Sequence, residues 1–181
     1  MENIITVAGK KFIKYIPKEE IAAAATKVAQ AINEEYRNDT PIILVTLNGA
    51  LLFAAEVIQQ LTISCRISGV KFASYCGGLS STGNVKELIG ITEDVANQRV
   101  LVLEDIVDTG NTYEHIVGIL KKQNVKDVKI ATMTFKPDSF NKDFPIDFIG
   151  LSIPNKFILG HGLDYDGLAR NYPDIYELYQ E

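Results

Sequence analysis

Short β-branched apolar runs alternate along this chain with stretches of helical apolar spacing, and few architectures accommodate that alternation. Pro41 to Leu47 (PIILVTL) reads as a strand, and Ala50 to Leu61 (ALLFAAEVIQQL), after an Asn48-Gly49 turn, reads as a helix. Ile63 to Tyr75 carries strand signal interrupted at Ser68-Gly69. Arg99 to Asp105 reads as a strand, Thr112 to Asn124 as a helix, and Val128 to Phe135 and Phe148 to Ile153 as two more strands. Strands this continuously apolar are covered on both faces, and strand–helix–strand order joins neighbours in parallel. The expected fold is α/β: a single domain with a mostly parallel twisted central sheet flanked by helices. A length of 181 residues suits one domain whose core needs no disulfide or metal.

Ahead of the alternation, Asn3 to Val7 and Lys11 to Ile16 read as a hairpin around Ala8-Gly9-Lys10. Pro17 then sits where a helix starts, with Glu19 and Glu20 near its favourable positive end. Ile21, Ala24, Ala25, Val28, Ala31 and Ile32 recur at helical spacing, which carries that helix to about Arg37, and Asp39-Thr40-Pro41 ends it. Cys76 to Asn84 (CGGLSSTGN) reads as a loop.

Charge and composition remove several function classes. Lys and Arg number 18 against 23 Asp and Glu, a net charge of −5, which argues against a nucleic-acid or anionic-membrane surface. Cys65, expected as a buried thiol, and Cys76, a loop thiol, have no metal-ligand spacing, and His115 and His161 are too few for a histidine-rich metal site. No signal peptide is visible at Met1-Glu2-Asn3-Ile4-Ile5, and no apolar run approaches the ~20 residues of a membrane span. A reducing, cytoplasmic setting is expected.

The stretch that carries chemistry is Arg99 to Tyr113, RVLVLEDIVDTGNTY. An apolar strand delivers Glu104 and Asp105 at its carboxyl end, Asp108 follows, and Thr109-Gly110-Asn111-Thr112 enters a helix. Ligands of open α/β sheets bind outside such strand ends. Successive N–H groups of the Thr-Gly-Asn-Thr turn can wrap a phosphate, with both hydroxyls adding donors. Three carboxylates beside a phosphate nest make sense if they serve sugar hydroxyls and a divalent cation. No GxxxxGK[ST] loop and no dinucleotide fingerprint occurs.

EDIVDTGNT resembles the phosphoribosyl-pyrophosphate signature of the type I phosphoribosyltransferases. In chain order, Leu47-Asn48-Gly49-Ala50 resembles that family's pyrophosphate loop, and Ser74-Tyr75 with Ser80-Ser81-Thr82-Gly83 its mobile loop. Lys136, Lys156 to Gly160 and Gly162 to Tyr165 are similar to the base-binding hood of its hypoxanthine and hypoxanthine-guanine branch, with Arg170-Asn171-Tyr172-Pro173 near the end. The resemblance implies a core over about 38–150 and a hood from about 1–16 and 151–181. It implies that Asp108 is the general acid or base facing the imidazole side of a purine. Glu104 and Asp105 would contact ribose hydroxyls and Mg²⁺, and Asp164 a second Mg²⁺ with pyrophosphate. Thr109, Gly110, Asn111 and Thr112 would cradle the 5′-phosphate, Arg170 would contact pyrophosphate, and Asn48 and Gly49 would line its loop. Lys136 would donate to the purine 6-oxo group, Phe157 would stack on the base, and the Ile158 backbone would read its edge. Many family members carry Lys where Asn48 stands, so direct neutralisation of pyrophosphate is expected to be weaker, with unusual peptide geometry retained through Gly49.

The implied reaction transfers ribose 5-phosphate from phosphoribosyl pyrophosphate to hypoxanthine or guanine, by a homo-oligomer (dimer or tetramer) with no nucleic-acid or membrane partner. Two alternatives stay open: a phosphoribosyltransferase for xanthine or another base, and a regulatory protein on the same fold.

Overall fold

The computed structural model describes residues 4–74 and 85–179. All five residues of β3 (Ile42–Thr46) are buried, because the strand lies between β4 (Arg66–Ser74) and β6 (Arg99–Val107), parallel to both. β7 (Asp127–Phe135) and β8 (Phe148–Ser152) extend the parallel run, and β5 (Val85–Ile89) adds an antiparallel edge, giving the order β5-β4-β3-β6-β7-β8.

Side chains alternate between the two faces of a strand, and the partners of each face follow. Ile43, Val45, Leu101 and Leu103 meet α1 (Lys18–Glu35) and α2 (Leu51–Ile58) through Ile21, Val28, Ile32, Phe53 and Val57. Ile42, Leu44, Val100 and Val102 meet α3 (Asn111–Lys122) through Tyr113, Ile116 and Leu120. Both faces are therefore apolar, which explains the lack of polar alternation along these strands. No helix among the described residues is long and apolar enough to cross a membrane.

A second sheet gathers both ends of the chain. β1 (Ile4–Val7) and β2 (Lys10–Ile16) form the expected hairpin, turning through Ala8 and Gly9 at φ +45° and +77°. Two successive positive φ values match the right-handed twist of hairpin strands. β10 (Ile175–Leu178) pairs with β2, and β9 (Ile158–Leu159) with β10. Phe12, Leu159 and Tyr176 form a small core there, while Ile16, Ile158 and Ile175 join the main one, so the two sheets share packing.

Three sequence readings need correction. β4 begins at Arg66 and runs through Ser68-Gly69 without a break. Gly69 is accommodated because the Leu47 side chain fills the space beside it, where a Cβ would come within 2.8 Å of Leu47 Cδ1. Cys65 is half-buried rather than fully buried. The sequence predicts no strand at β5, β9 or β10; β9, with two residues, is a strand only because β10 lies beside it.

The lower end of the sheet is tied by Arg99. Its guanidinium lies 2.5 Å from Glu35, 2.6 Å from Asp39 and 3.0 Å from Asp127, and 4.4 Å above the Tyr36 ring. Hydrogen bonds from Lys129 and Arg99 hold the Glu35 carboxyl below its ordinary range. A depressed acid stabilises the fold above the ordinary glutamate range, and that contribution is lost as pH falls through the depressed value. Stability should therefore drop on acidification below about pH 4.5, less steeply in Glu35→Gln. Arg99→Met strands three partly exposed carboxylates and should cost about 1–3 kcal/mol, a fall in Tm of about 5 °C by calorimetry at pH 7.

Candidate active site

The carboxyl ends of β3 and β6 carry the first functional side chains. Glu104 is buried, and its Oε2 lies 2.6 Å from Thr46 Oγ1, which is also 2.8 Å from the Leu103 carbonyl. The Thr46 hydroxyl donates toward both acceptors, a shared bond. Burial, and then the charge of Asp105, push the Glu104 carboxyl well above its usual range, against the pull of the Thr46 hydrogen bond. Glu104 Oε1 is enclosed without a hydrogen-bond partner. Burial also raises Asp105, although its Oδ1 accepts the Ile106 N–H at 3.0 Å.

The turn from β6 into α3 forms a nest. Gly110 is the residue before the helix, with φ +85°, and Phe140 and Lys142 pack where its side chain would be. A cavity of about 160 Å³ opens over Asp108, Thr109, Gly110, Asn111 and Thr112. Exposed N–H groups at a helix start face such a cavity with partial positive charge, the arrangement an anion needs.

A second cavity, about 240 Å³, shares Glu104, Ile106 and Thr112 with the first and adds Asn48, Gly49, Asp105, Asp164 and Arg170. The Leu47–Asn48 peptide bond is cis. Gly49 is crowded: a Cβ would stand 1.8 Å from Asp105 Oδ2, so any larger residue requires Asp105 or the loop to shift. Arg170 reaches Asp164 Oδ1 at 2.5 Å and donates to the Gly162 carbonyl at 2.6 Å. The Lys71 ammonium lies 3.5 Å from Asn48 Oδ1.

The third part is a donor–acceptor pair. Lys136 is buried, and its Nζ donates to Asp108 Oδ2 at 2.7 Å. Phe157 remains 49% exposed, with its ring 5.6 Å from Tyr165 and 6.2 Å from Phe12. Ile158 is buried in β9, opposite Glu177.

Of the residues expected from sequence, Asn48, Gly49, Glu104, Asp105, Thr112, Asp164 and Arg170 line one cavity, and Asp108 to Thr112 the next. Lys136 joins them through Asp108, while Phe157 and Ile158 stand on the smaller sheet. Ser74 ends β4, and Tyr75 and the loop from Cys76 to Asn84 lie outside the described residues. Among the described residues, no group of three or more His, Cys, Asp or Glu is placed to hold a metal alone. Thr46 and Lys71 were not singled out in the sequence. Thr46 was legible as a hydroxyl at a strand end, whereas Lys71 reaches Asn48 only because β3 and β4 pair.

A sheet with anion-binding turns at its strand ends is the organisation of phosphoribosyl transferases. The phosphoribosyl transferase domain matches residues 15–166, and the chain belongs to that family. It is 35% identical over 162 residues to the hypoxanthine phosphoribosyltransferase of Buchnera aphidicola subsp. Schizaphis graminum, covering 88% of this chain and 92% of that one. It is 32% identical over 166 residues to the hypoxanthine-guanine phosphoribosyltransferase of Streptococcus pneumoniae, covering 92% of each. The crystal structure of a Staphylococcus aureus hypoxanthine phosphoribosyltransferase superposes with TM-score 0.86 at 29% identity, covering 92% of this chain and 90% of that one.

Gly49→Ala forces either Asp105 or the loop to move by more than 1 Å. A displacement of that size in a reacting geometry costs roughly 100-fold, so phosphoribosyl transfer should fall by about that factor. Steady-state kinetics beside a thermal melt would check that the loss is local.

Proposed function

We propose that the protein transfers ribose 5-phosphate from phosphoribosyl pyrophosphate to hypoxanthine or guanine, giving the nucleoside monophosphate and pyrophosphate. The observation that carries this reading is the Lys136–Asp108 pair, 2.7 Å apart beside the phosphate nest. It presents a donor and an acceptor side by side. A 6-oxopurine offers the complement, an oxo acceptor next to an imidazole N–H. Asp108 takes the ring proton as the glycosidic bond forms, and Lys136 holds the 6-oxo group. Thr109 to Thr112 anchor the 5′-phosphate, and Arg170 with the Asn48-Gly49 loop receives the pyrophosphate. Lys71 supplies beside that loop the positive charge that Asn48 lacks.

Magnesium fits the donor set. Glu104 Oε1 is an unpartnered buried oxygen, and Asp105 and Asp164 open onto the same cavity. Because these acids do not form a closed cage, the remaining ligands would be substrate oxygens and water, as is usual for this ion. Bound there, magnesium would offset the charge of the departing pyrophosphate. Asp164 is engaged by Arg170, so a metal role for Asp164 requires that pair to open. Family resemblance supports a cytoplasmic homo-oligomer, a dimer or tetramer.

Four outcomes test the reading. Assayed with phosphoribosyl pyrophosphate and Mg²⁺, hypoxanthine and guanine should be used and adenine refused by roughly 10,000-fold, since a 6-amino group opposes the Lys136 donor. Excess EDTA should abolish turnover, and Lys136→Ala should lower oxopurine efficiency while sparing the KM for phosphoribosyl pyrophosphate. Comparable use of hypoxanthine and adenine would sink the assignment. Asp108→Asn should cut kcat by about 100- to 10,000-fold while product nucleotide still binds by calorimetry.

A further inference from the structure

The seam between the two sheets brings together two polar side chains with no part in the transfer described above, a buried histidine and a partly exposed glutamate. His161 is 5% exposed and sits in the turn Gly160-His161-Gly162, where φ is +94°, +46° and +96°. Its Nε2 lies 3.5 Å from Glu56 Oε2 on α2, and both atoms are shut off from solvent without a hydrogen-bond partner. The other ring nitrogen bonds the Pro173 carbonyl. A carbonyl only accepts, so Nδ1 carries a proton, and Nε2 of a neutral ring presents a lone pair. A carboxylate opposite that lone pair would set two acceptors face to face.

One proton between the atoms removes the conflict, whether it rests on Glu56 or on the imidazole. Burial favours the neutral form of each, raising Glu56 and lowering His161.

The position of this pair gives it a consequence. α2 begins directly after the Asn48-Gly49 loop. Gly162, next to His161, lies so close to that loop that a Cβ would stand 2.0 Å from the Gly49 carbonyl. The Gly162 carbonyl accepts from Arg170 Nη1 at 2.6 Å, and the Gly162 N–H donates to the Arg170 carbonyl at 2.9 Å. We propose that Glu56 and His161 share one buried proton across the seam, and so position the Gly160-His161-Gly162 turn, Arg170 and the Asn48-Gly49 loop for the pyrophosphate end of the substrate. They are positioning residues. The second half of the inference rests on the assignment of that cavity to pyrophosphate.

The chain has two histidines, so ¹⁵N NMR of the imidazoles resolves His161 directly. In the wild type at pH 7, Nδ1 should be protonated and Nε2 shifted away from the position of a free acceptor. Glu56→Gln, whose amide can donate to Nε2, should preserve that shift, and Glu56→Leu should abolish it. Kinetically, Glu56→Leu should raise the KM for phosphoribosyl pyrophosphate by roughly tenfold, the scale of one lost hydrogen bond. The KM for hypoxanthine should stay put, and Glu56→Gln should restore the wild-type value. An Nε2 resonance identical in wild type and Glu56→Leu would overturn the shared proton. Equal KM increases in both variants would overturn the positioning role. If the NMR signature holds in a protein that shows no phosphoribosyl transfer, the proton stands and the assignment of the cavity falls.

Discussion

Placing two adjacent carboxyl groups at the end of a buried strand makes it costly to ionise both, and the geometry around Glu104 and Asp105 follows from that constraint. Burial raises both, Glu104 the more strongly. Thr46, delivered by the neighbouring strand, stands 2.6 Å from one Glu104 oxygen. The other oxygen is enclosed and unpartnered, a costly state for a polar group unless a ligand completes it. Gly49 exists because Asp105 already occupies the volume of its side chain. The β3–β6 pairing therefore sets the shape of both cavities as well as the core.

An acidic chain that receives a polyanion has few cations to offer, and here they are held in pairs. Arg170 leans on Asp164 and Lys136 on Asp108. Each pair places a cation without leaving it bare. Each also keeps a carboxylate poised for the chemistry assigned to it. The nest at Gly110 needs no side-chain charge, because the start of α3 supplies it through backbone N–H groups. Phe140 and Lys142, packed against Gly110, support that turn from the segment that begins at Lys136. The phosphate end and the base end of the proposed site thus share one supporting loop.

The smaller sheet is more than an appendage to the larger one. Its hairpin and last strand place Phe157 over Phe12 and Tyr165, and its turn at Gly162 rests on the Gly49 carbonyl. The seam contacts, His161 with Glu56 among them, join the elements assigned to the base and to pyrophosphate.

The parallel sheet was written in the sequence, since β3, β6 and β7 are apolar on both faces and that composition fits no exposed strand. The nest at Thr109 to Thr112 was legible for the same reason: its spacing and its place after a strand are local properties. Lengths and partners of the weak elements were not local. β9 has two residues and is a strand only because β10 lies beside it, and β4 passes through Ser68-Gly69 because Leu47 fills the gap. Only the family resemblance singles out Lys136 in the sequence, since a lysine before a proline carries no local sign of burial. Its burial and its bond to Asp108 depend on β6 and β7 lying side by side. Apolar period and turn chemistry act over a few residues and fix the class of fold, whereas proton sharing, charge pairing and the close approach of two backbones require groups brought together across the sheets, and only the tertiary structure decides them.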